Sequence, residues 1–596
     1  MNQQEKIYSS MGDTLQAFSP FYREAMIKWL RQSEAPDNWF ALNIVRANDP
    51  EPFSLDQLLE INPYSAISSQ RERYEALAAK GFLEVVSEDS FKLTDRGREI
   101  VEGFFRLAHE ELAEVEALPA EEMDQLADLL ERVVMNTLES DEPAKKPALL
   151  ASRWTDQGPS APATVRIDQY VTDLVRYRDD AHIAAWQPAG LDGRTWEALT
   201  FIWRGEATLA ADLSDRLSSR GYGEEDYAAS LDLLLEKGWI EADGDRVQIT
   251  DAGKAIRQMA EDETNRIHHV GLQALNQEEL LHLDKSLTRL NERLGSLALS
   301  LIWTQAREVS QAIFPVTRAA VDDEFNKYFD SPRIFFPTLM AYGSRPNPFT
   351  SADYIQRVPY TKPDRALEVL NTAADSGCLE PTGENFTITD KGQEAIVHVN
   401  DVFYNCLGEI DPLSEEESAE LSGLMARIVE ATLAAGEPQT KLALQSMHAC
   451  HPENGYGALA TIDQLLDDLN AFRDDVHVAA WQAHDVSGRD WETLTHVWRG
   501  EANTAAALAE DLEVRGYTAD EYAQSLATLV DRGWLQKADE GFQVTDLGRQ
   551  IREEAELVTD RLFFGPWSGL AGAERYRLYT LLTQMKLGLQ ELARSE

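Results

Sequence analysis

The sequence predicts a mainly α protein with small β-hairpins, organised as four winged-helix units in two tandem pseudo-dimeric copies. Three observations carry that prediction: a long internal repeat, a short hairpin motif that occurs four times, and leucine stripes at helical spacing.

The repeat is read at a shift of 295 residues. Arg178-Asp-Asp-Ala-His-Ile-Ala-Ala-Trp186 returns as Arg473-Asp-Asp-Val-His-Val-Ala-Ala-Trp481. The same shift carries Trp203-Arg-Gly-Glu206 onto Trp498-Arg-Gly-Glu501, Arg220-Gly-Tyr222 onto Arg515-Gly-Tyr517 and Gly238-Trp239 onto Gly533-Trp534. The front portions diverge more, yet Thr94-Asp95 still maps onto Thr389-Asp390. Self-similarity at a fixed period marks a duplicated architecture, and 596 residues exceed what one core organises. The expected units are 1–145, 146–300, 301–438 and 439–596, the second and fourth carrying the Arg-Asp-x-His motif.

The hairpin motif is a second, weaker repetition inside each copy. It runs from Gly81-Phe-Leu to Leu93-Thr-Asp-Arg-Gly97, from Gly238-Trp-Ile to Ile249-Thr-Asp-Ala-Gly253, from Gly377-Cys-Leu to Ile388-Thr-Asp-Lys-Gly392, and from Gly533-Trp-Leu to Val544-Thr-Asp-Leu-Gly548. The first Gly suits the left-handed residue that ends a helix. A polar turn such as Ala242-Asp-Gly-Asp245 joins two short strands, and Thr-Asp caps the next helix. Helix, hairpin, helix in that order is the wing of a winged helix.

The leucine stripes follow. Leu126, Leu129, Leu130 and Val133 share one helical face, as do Leu280, Leu283, Leu287 and Leu290, and such stripes read as core or subunit contact. The Pro-rich stretch 142–162, with a counterpart near Glu437-Pro438, reads as the connector between units.

Composition bounds the function. A formal charge of −48 sets a negative potential that repels nucleic acid, although acidity also serves solubility and salt adaptation. Cys378, Cys406 and Cys450 all lie in the second copy without counterparts in the first, so they are expected to be reduced thiols in a cytoplasmic protein. The first residues hold no basic segment followed by an apolar run, and no stretch of about 18 apolar residues occurs, so neither secretion nor membrane spanning is expected. Phosphate loops, dinucleotide fingerprints, His-Glu-x-x-His and Gly-x-Ser-x-Gly are absent, and no cofactor is expected.

The wing ending in Leu-Thr-Asp-x-Gly, followed by a helix and Leu118-Pro-Ala-Glu-Glu-Met-Asp-Gln-Leu-Ala-Asp-Leu-Leu-Glu-Arg132, resembles the C-terminal half of MarR-type winged-helix regulators. The later half of each copy is similar to a bacterial helix-turn-helix family. The likeness rests on Arg178-Asp-Asp-Ala-His182, Gly190-Leu-Asp-Gly193, Arg220-Gly-Tyr222, Gly238-Trp239 and Glu261-x-x-Thr264-Asn265. In that family the first motif commonly reads Arg-Gly-Asp-x-His and the last Glu-x-x-Thr-Asp. Here Asp179 and Asp474 stand in place of the Gly, and Asn265 replaces the final Asp in copy one, whereas copy two keeps Asp560. The resemblance implies the fold and leaves the function open.

The candidate ligand-binding residues are Arg178, His182, Trp186, Trp203 and Glu261, with Arg473, His477, Trp481, Trp498 and Glu556 in copy two. At i and i+4 Arg178 and His182 share a helical face, while Asp180 points away. Two arrangements are open: a cavity for a hydrophobic, aromatic or anionic small molecule, or a buried polar network joining two helices, which the general pairing of buried polar groups favours. Met447-His-Ala-Cys-His451 holds possible zinc ligands, but copy one has no such run and no second Cys/His pair follows at finger spacing, so no metal site is expected.

The preferred expectation is a non-catalytic binding protein whose partner is a small molecule or a protein, with internal pairing compatible with a monomer. One alternative is a DNA-binding regulator using the front units through Arg71, Arg73, Lys362 and Arg365, because the later reading helices begin Gly223-Glu-Glu-Asp and Thr518-Ala-Asp-Glu and set carboxylates against phosphates. Another is an enzyme centred on His182 and His477.

Overall fold

The computed structural model describes residues 2–329, 331–452 and 455–595. The chain is mainly helical, with four small antiparallel sheets among the described residues, and packs as two compact units, Met1–Leu301 and Ile302–Glu596. The boundary falls inside the helix Gln277–Tyr328.

In the first unit the helix Gln3–Gln32 opens with a capping box between Asn2 and Glu5. A front set follows: helices Phe40–Arg46, Leu55–Ile61 and Ile67–Ala79, strands Phe53–Ser54, Leu83–Ser87 and Ser90–Leu93, and helix Asp95–Ala113. The strand Ser90–Leu93 lies between the other two, pairing Leu83 with Leu93 and Phe53 with Phe91. The rear set has helices Gly193–Trp203, Ala210–Arg216 and Glu224–Glu236, the hairpin Ile240–Asp243 with Arg246–Ile249, and helix Asp251–His268. Its sheet has two strands. Where the front set places a third, one amide of Val247 donates to the Thr208 carbonyl at 3.0 Å.

All four hairpins are latched in one way. The motif threonines Thr94, Thr250, Thr389 and Thr545 donate their hydroxyls to the carbonyls of Gly81, Gly238, Gly377 and Gly533 at 2.6–2.8 Å, and accept the amides of Gly97, Gly253, Gly392 and Gly548. A Cβ on any of those last four glycines would sit 2.0–2.3 Å from the carbonyl oxygen of Phe82, Trp239, Cys378 or Trp534. The motif therefore ends in glycine because a helix passes directly over the carbonyl of the residue that leads into the first hairpin strand.

A helical layer packs against both sets. Its core joins Leu126, Leu130 and Val133 to Val171 and Leu174 of the helix Ala163–Trp186, and to Leu283, Leu287 and Leu290. The expected connector at 142–162 is not a free linker: it contains the helix Pro147–Ser152, and its first amides, Ala148 and Leu149, each donate to the Asp180 carboxylate at 2.9 Å. Asp180 thus points away from His182, as helical periodicity requires, and caps a second helix. Asp475 repeats the arrangement on Ala443 and Leu444.

Front and rear sets touch closely. A Cβ on Gly193 would fall 2.2 Å from the Pro63 carbonyl oxygen, and one on Gly488 would fall 2.1 Å from that of Pro359. Cys378, Cys406 and Cys450 are free thiols. Among the described residues no helix is long and apolar enough to cross a membrane.

Candidate functional site

The polar motif sits where the helix Ala163–Trp186 meets the helix that follows the rear hairpin. His182 Nδ1 lies 3.3 Å from the Thr264 hydroxyl, which itself donates to the Ala260 carbonyl at 2.7 Å, so the imidazole is the donor in that pair. Its Nε2 then accepts from Trp196 Nε1 at 3.4 Å. Arg178 donates to Asn265 Oδ1 at 3.0 Å, and its guanidinium lies 3.6 Å from Glu261. Trp186 stacks on Trp196 with centroids 5.8 Å apart and donates to the Tyr64 hydroxyl.

A residue outside the expected set organises this cluster. Arg257 is 2% exposed, pairs with Glu261 at 2.7 Å and lies between the rings of Trp196 and Trp203, 4.6 and 5.1 Å from their centroids. Copy two matches it: His477 to Thr559 at 3.3 Å, Arg473 to Asp560 at 3.0 Å, Arg552 to Glu556 at 2.8 Å, and Arg552 between Trp491 and Trp498. The sequence signal for Arg257 and Arg552 was their recurrence at the 295-residue shift, a kept basic position in an acid-rich chain. Burial holds His182 and His477 down to about 4, so both imidazoles are neutral at physiological pH. Among the described residues the hydroxyls that pair with them are those of Thr264 and Thr559, whose protons are committed to backbone carbonyls, an arrangement that positions an imidazole rather than activates a nucleophile.

In the second unit this cluster borders a cavity of about 590 Å³. Arg307, Arg473, Arg499, Arg515 and Arg552 line it against three carboxylates, Asp474, Glu492 and Glu556. Arg515 is held by Glu492 through two nitrogens, at 3.0 and 2.8 Å. Arg473 bonds Asp560 through one nitrogen, leaving its other terminal nitrogen buried and without a partner, and the indole N–H groups of Trp303 and Trp491 in the same wall are likewise unpartnered. Arg307 is exposed and has no ion-pair partner among the described residues.

Of the expected ligand residues Arg473, His477 and Glu556 line this cavity, whereas Trp481 and Trp498 stand behind the wall, stacked on Trp491 and on Arg552. Trp303 and Trp491 supply the aromatic surface instead. Copy one differs at this place: Gly12, Val175 and Phe201 occupy the positions of Arg307, Asn470 and His496. There the cavity touching His182, about 480 Å³, runs toward Phe40, Ile44 and Leu58, and Arg178 and Glu261 do not line it.

The front reading helices, Ile67–Ala79 and Pro363–Asp375, are covered at the end that would enter a groove. The Ala66 amide donates to the Arg220 carbonyl at 2.8 Å, and the Lys362 amide donates to that of Arg515 at 2.9 Å. Gly221 and Gly516, both at positive φ, press on Ser69 and Arg365 so closely that a Cβ would lie 2.4 and 2.9 Å from those side chains. Three of the four candidate DNA contacts are neutralised, Arg71 by Asp89 at 2.7 Å, Lys362 by Glu521 at 2.8 Å and Arg365 by Glu368 at 2.6 Å, while Arg73 is exposed.

A helix-turn-helix family model matches residues 90–298 and again 396–591, one stretch in each unit. No curated protein and no solved structure shows significant similarity to the chain. Both matched stretches run from the front hairpin or the helix after it, through the latched rear hairpin, into the closing helix, and together they cover more than half of the sequence. The chain therefore belongs to this helix-turn-helix family and carries the family's matched region twice.

Proposed function

We propose that the protein is a receptor for a small anionic molecule, held in the second unit by the arginine-lined cavity, with the helix-turn-helix elements serving as scaffold. The observation that carries the reading is the excess of guanidinium over carboxylate in one cavity of a chain with charge −48. Burying a charged donor without a partner is costly, and an anion that meets the unpartnered nitrogen of Arg473 offsets that cost, while the exposed Arg307 and the half-exposed Arg499, whose only ion pair is with Glu501 at 3.7 Å among the described residues, add attraction at the cavity mouth. Trp303 and Trp491 offer a flat apolar surface to the rest of the ligand. In this reading each unit is a MarR-like pseudo-dimer and the chain acts as a cytoplasmic monomer.

Native mass spectrometry of the purified chain, then thermal shift with inorganic phosphate, pyrophosphate, benzoate and a mononucleotide, tests it. Stabilisation that disappears in Arg307→Gly/His496→Phe, which restores the copy-one residues, supports the reading. A chain that carries no anion and is stabilised by none of the four sinks it.

The family match favours a second reading, a DNA-binding regulator using the front helices. It requires the Arg220 and Arg515 contacts to release those helices. Low-salt filter binding decides: sequence-selective binding abolished by Arg71→Glu/Arg73→Glu establishes the regulator and removes the scaffold role.

A further inference from the structure

The run Met447-His-Ala-Cys-His451 is not a zinc motif by spacing, yet the fold adds a third donor from a distant part of the second unit. His448 ends the helix Leu442–His448, His451 follows three residues on, and Asp468 comes from the helix Ala458–Gln482. His448 Nδ1 lies 2.8 Å from one Asp468 oxygen and His451 Nε2 lies 3.6 Å from the other. The three donor atoms all fall within 4.8 Å of one another. Tetrahedral zinc with bonds of about 2.0–2.1 Å spaces its ligands about 3.3 Å apart, so small side-chain rotations close the site.

The first copy provides an internal control. At the equivalent place Asp173 is fully buried and neutralised by Arg153 at 2.6 Å, with further hydrogen bonds from Ser152 at 2.6 Å and Gln169 at 2.8 Å, and Arg153 also pairs with Asp156. In copy two His448 replaces Arg153, His451 replaces Asp156 and Met447 replaces Ser152, while the carboxylate is kept as Asp468. The fixed cation is gone, the buried anion remains, and two imidazoles have arrived beside it. Asp468 is 1% exposed, and neither its Oδ1 nor His451 Nε2 has a hydrogen-bond partner.

We propose that His448, His451 and Asp468 bind one divalent transition-metal ion, with zinc the best match to two imidazole nitrogens and one carboxylate. The surroundings agree. The Asp468 carboxylate is buried and presents one oxygen to each imidazole. Cys450 is not a fourth ligand: its thiol is directed at the carbonyls of Leu339 and Ser446. Three protein ligands, with His448 half exposed, leave one coordination position open to water or to a ligand atom.

The test uses the full chain stripped with a chelator and dialysed. Zn²⁺ alone is titrated by calorimetry against a chromophoric competitor, and Co²⁺ is added separately to read its d–d bands. The expected result is one equivalent bound with a dissociation constant of about 1 μM or tighter, with the intense visible bands of tetrahedral cobalt. His448→Arg/His451→Asp installs the residues that fold in copy one, and it is expected to weaken binding at least tenfold. His448→Gln, at the half-exposed position, gives the same answer should the double variant not fold. Zinc binding weaker than about 100 μM in the unaltered chain, or unchanged binding in a folded His448→Arg/His451→Asp or His448→Gln protein, overturns the proposal.

Discussion

Replacing Gly548 by alanine tests whether the hairpin latch dictates the fourfold motif. The new Cβ would lie 2.1 Å from the Trp534 carbonyl oxygen and 2.9 Å from its carbonyl carbon. Ordinary contact needs more than about 3 Å, so helix and strand must separate by about 1 Å, an overpacking that costs about 1–3 kcal/mol. The carbonyl cannot simply swing aside, because it accepts the Thr545 amide at 3.0 Å and the Thr545 hydroxyl at 3.1 Å. Losing one such bond adds about 1 kcal/mol. The expected loss is therefore about 2–4 kcal/mol, seen in urea denaturation as a lower midpoint at unchanged slope for the transition of the second unit. Gly12→Ala is the control: no neighbouring atom lies within 4 Å of where a Cβ on that helical glycine would sit, and alanine there is expected to stabilise by about 0.5–1 kcal/mol. A Gly548→Ala change within about 0.5 kcal/mol of the parent would refute the close-approach argument.

Glu261→Gln is expected to destabilise the first unit by about 2–3 kcal/mol, because it strands the buried Arg257 guanidinium, whereas Arg257→Met/Glu261→Gln is expected to lose less than about 1.5 kcal/mol; equal losses in thermal or urea unfolding would contradict this. His182 and His477 are held at about 4 in the folded chain, below an unfolded value of about 6.5, so the stability they contribute is complete above pH 6.5 and is lost as pH falls toward 4. His182→Gln/His477→Gln is expected to flatten that acid-side loss by about 1–3 kcal/mol per site, and an unchanged pH profile would show that the imidazoles are not buried as described. Asp475→Ala removes the cap on Ala443 and Leu444 and is expected to cost about 1–2 kcal/mol, with proteolysis appearing first near 440–450; cleavage confined elsewhere would count against that role.

Much of this protein was legible without coordinates because it follows from local periodicity. The four Thr-Asp-x-Gly wings and the opposed directions of His182 and Asp180 depend on spacings of one to a few residues, which helix and strand geometry turn into faces and turns, and the 295-residue repeat is read by matching such local motifs between the two copies. The shift even held the clue to Arg257 and Arg552, and to the exchanges of Gly12 for Arg307 and Arg153 for His448. Which of those positions meet was a matter of tertiary packing. Only the folded chain brings Asp468 to His448 and His451, sets Trp491 rather than Trp481 or Trp498 on the cavity wall, and covers the reading helices with the Arg220-Gly221 and Arg515-Gly516 turns. These contacts join residues tens to more than a hundred positions apart. Their distances are set by how whole helices pack, through volume exclusion and the pairing of buried polar groups, which no local spacing encodes.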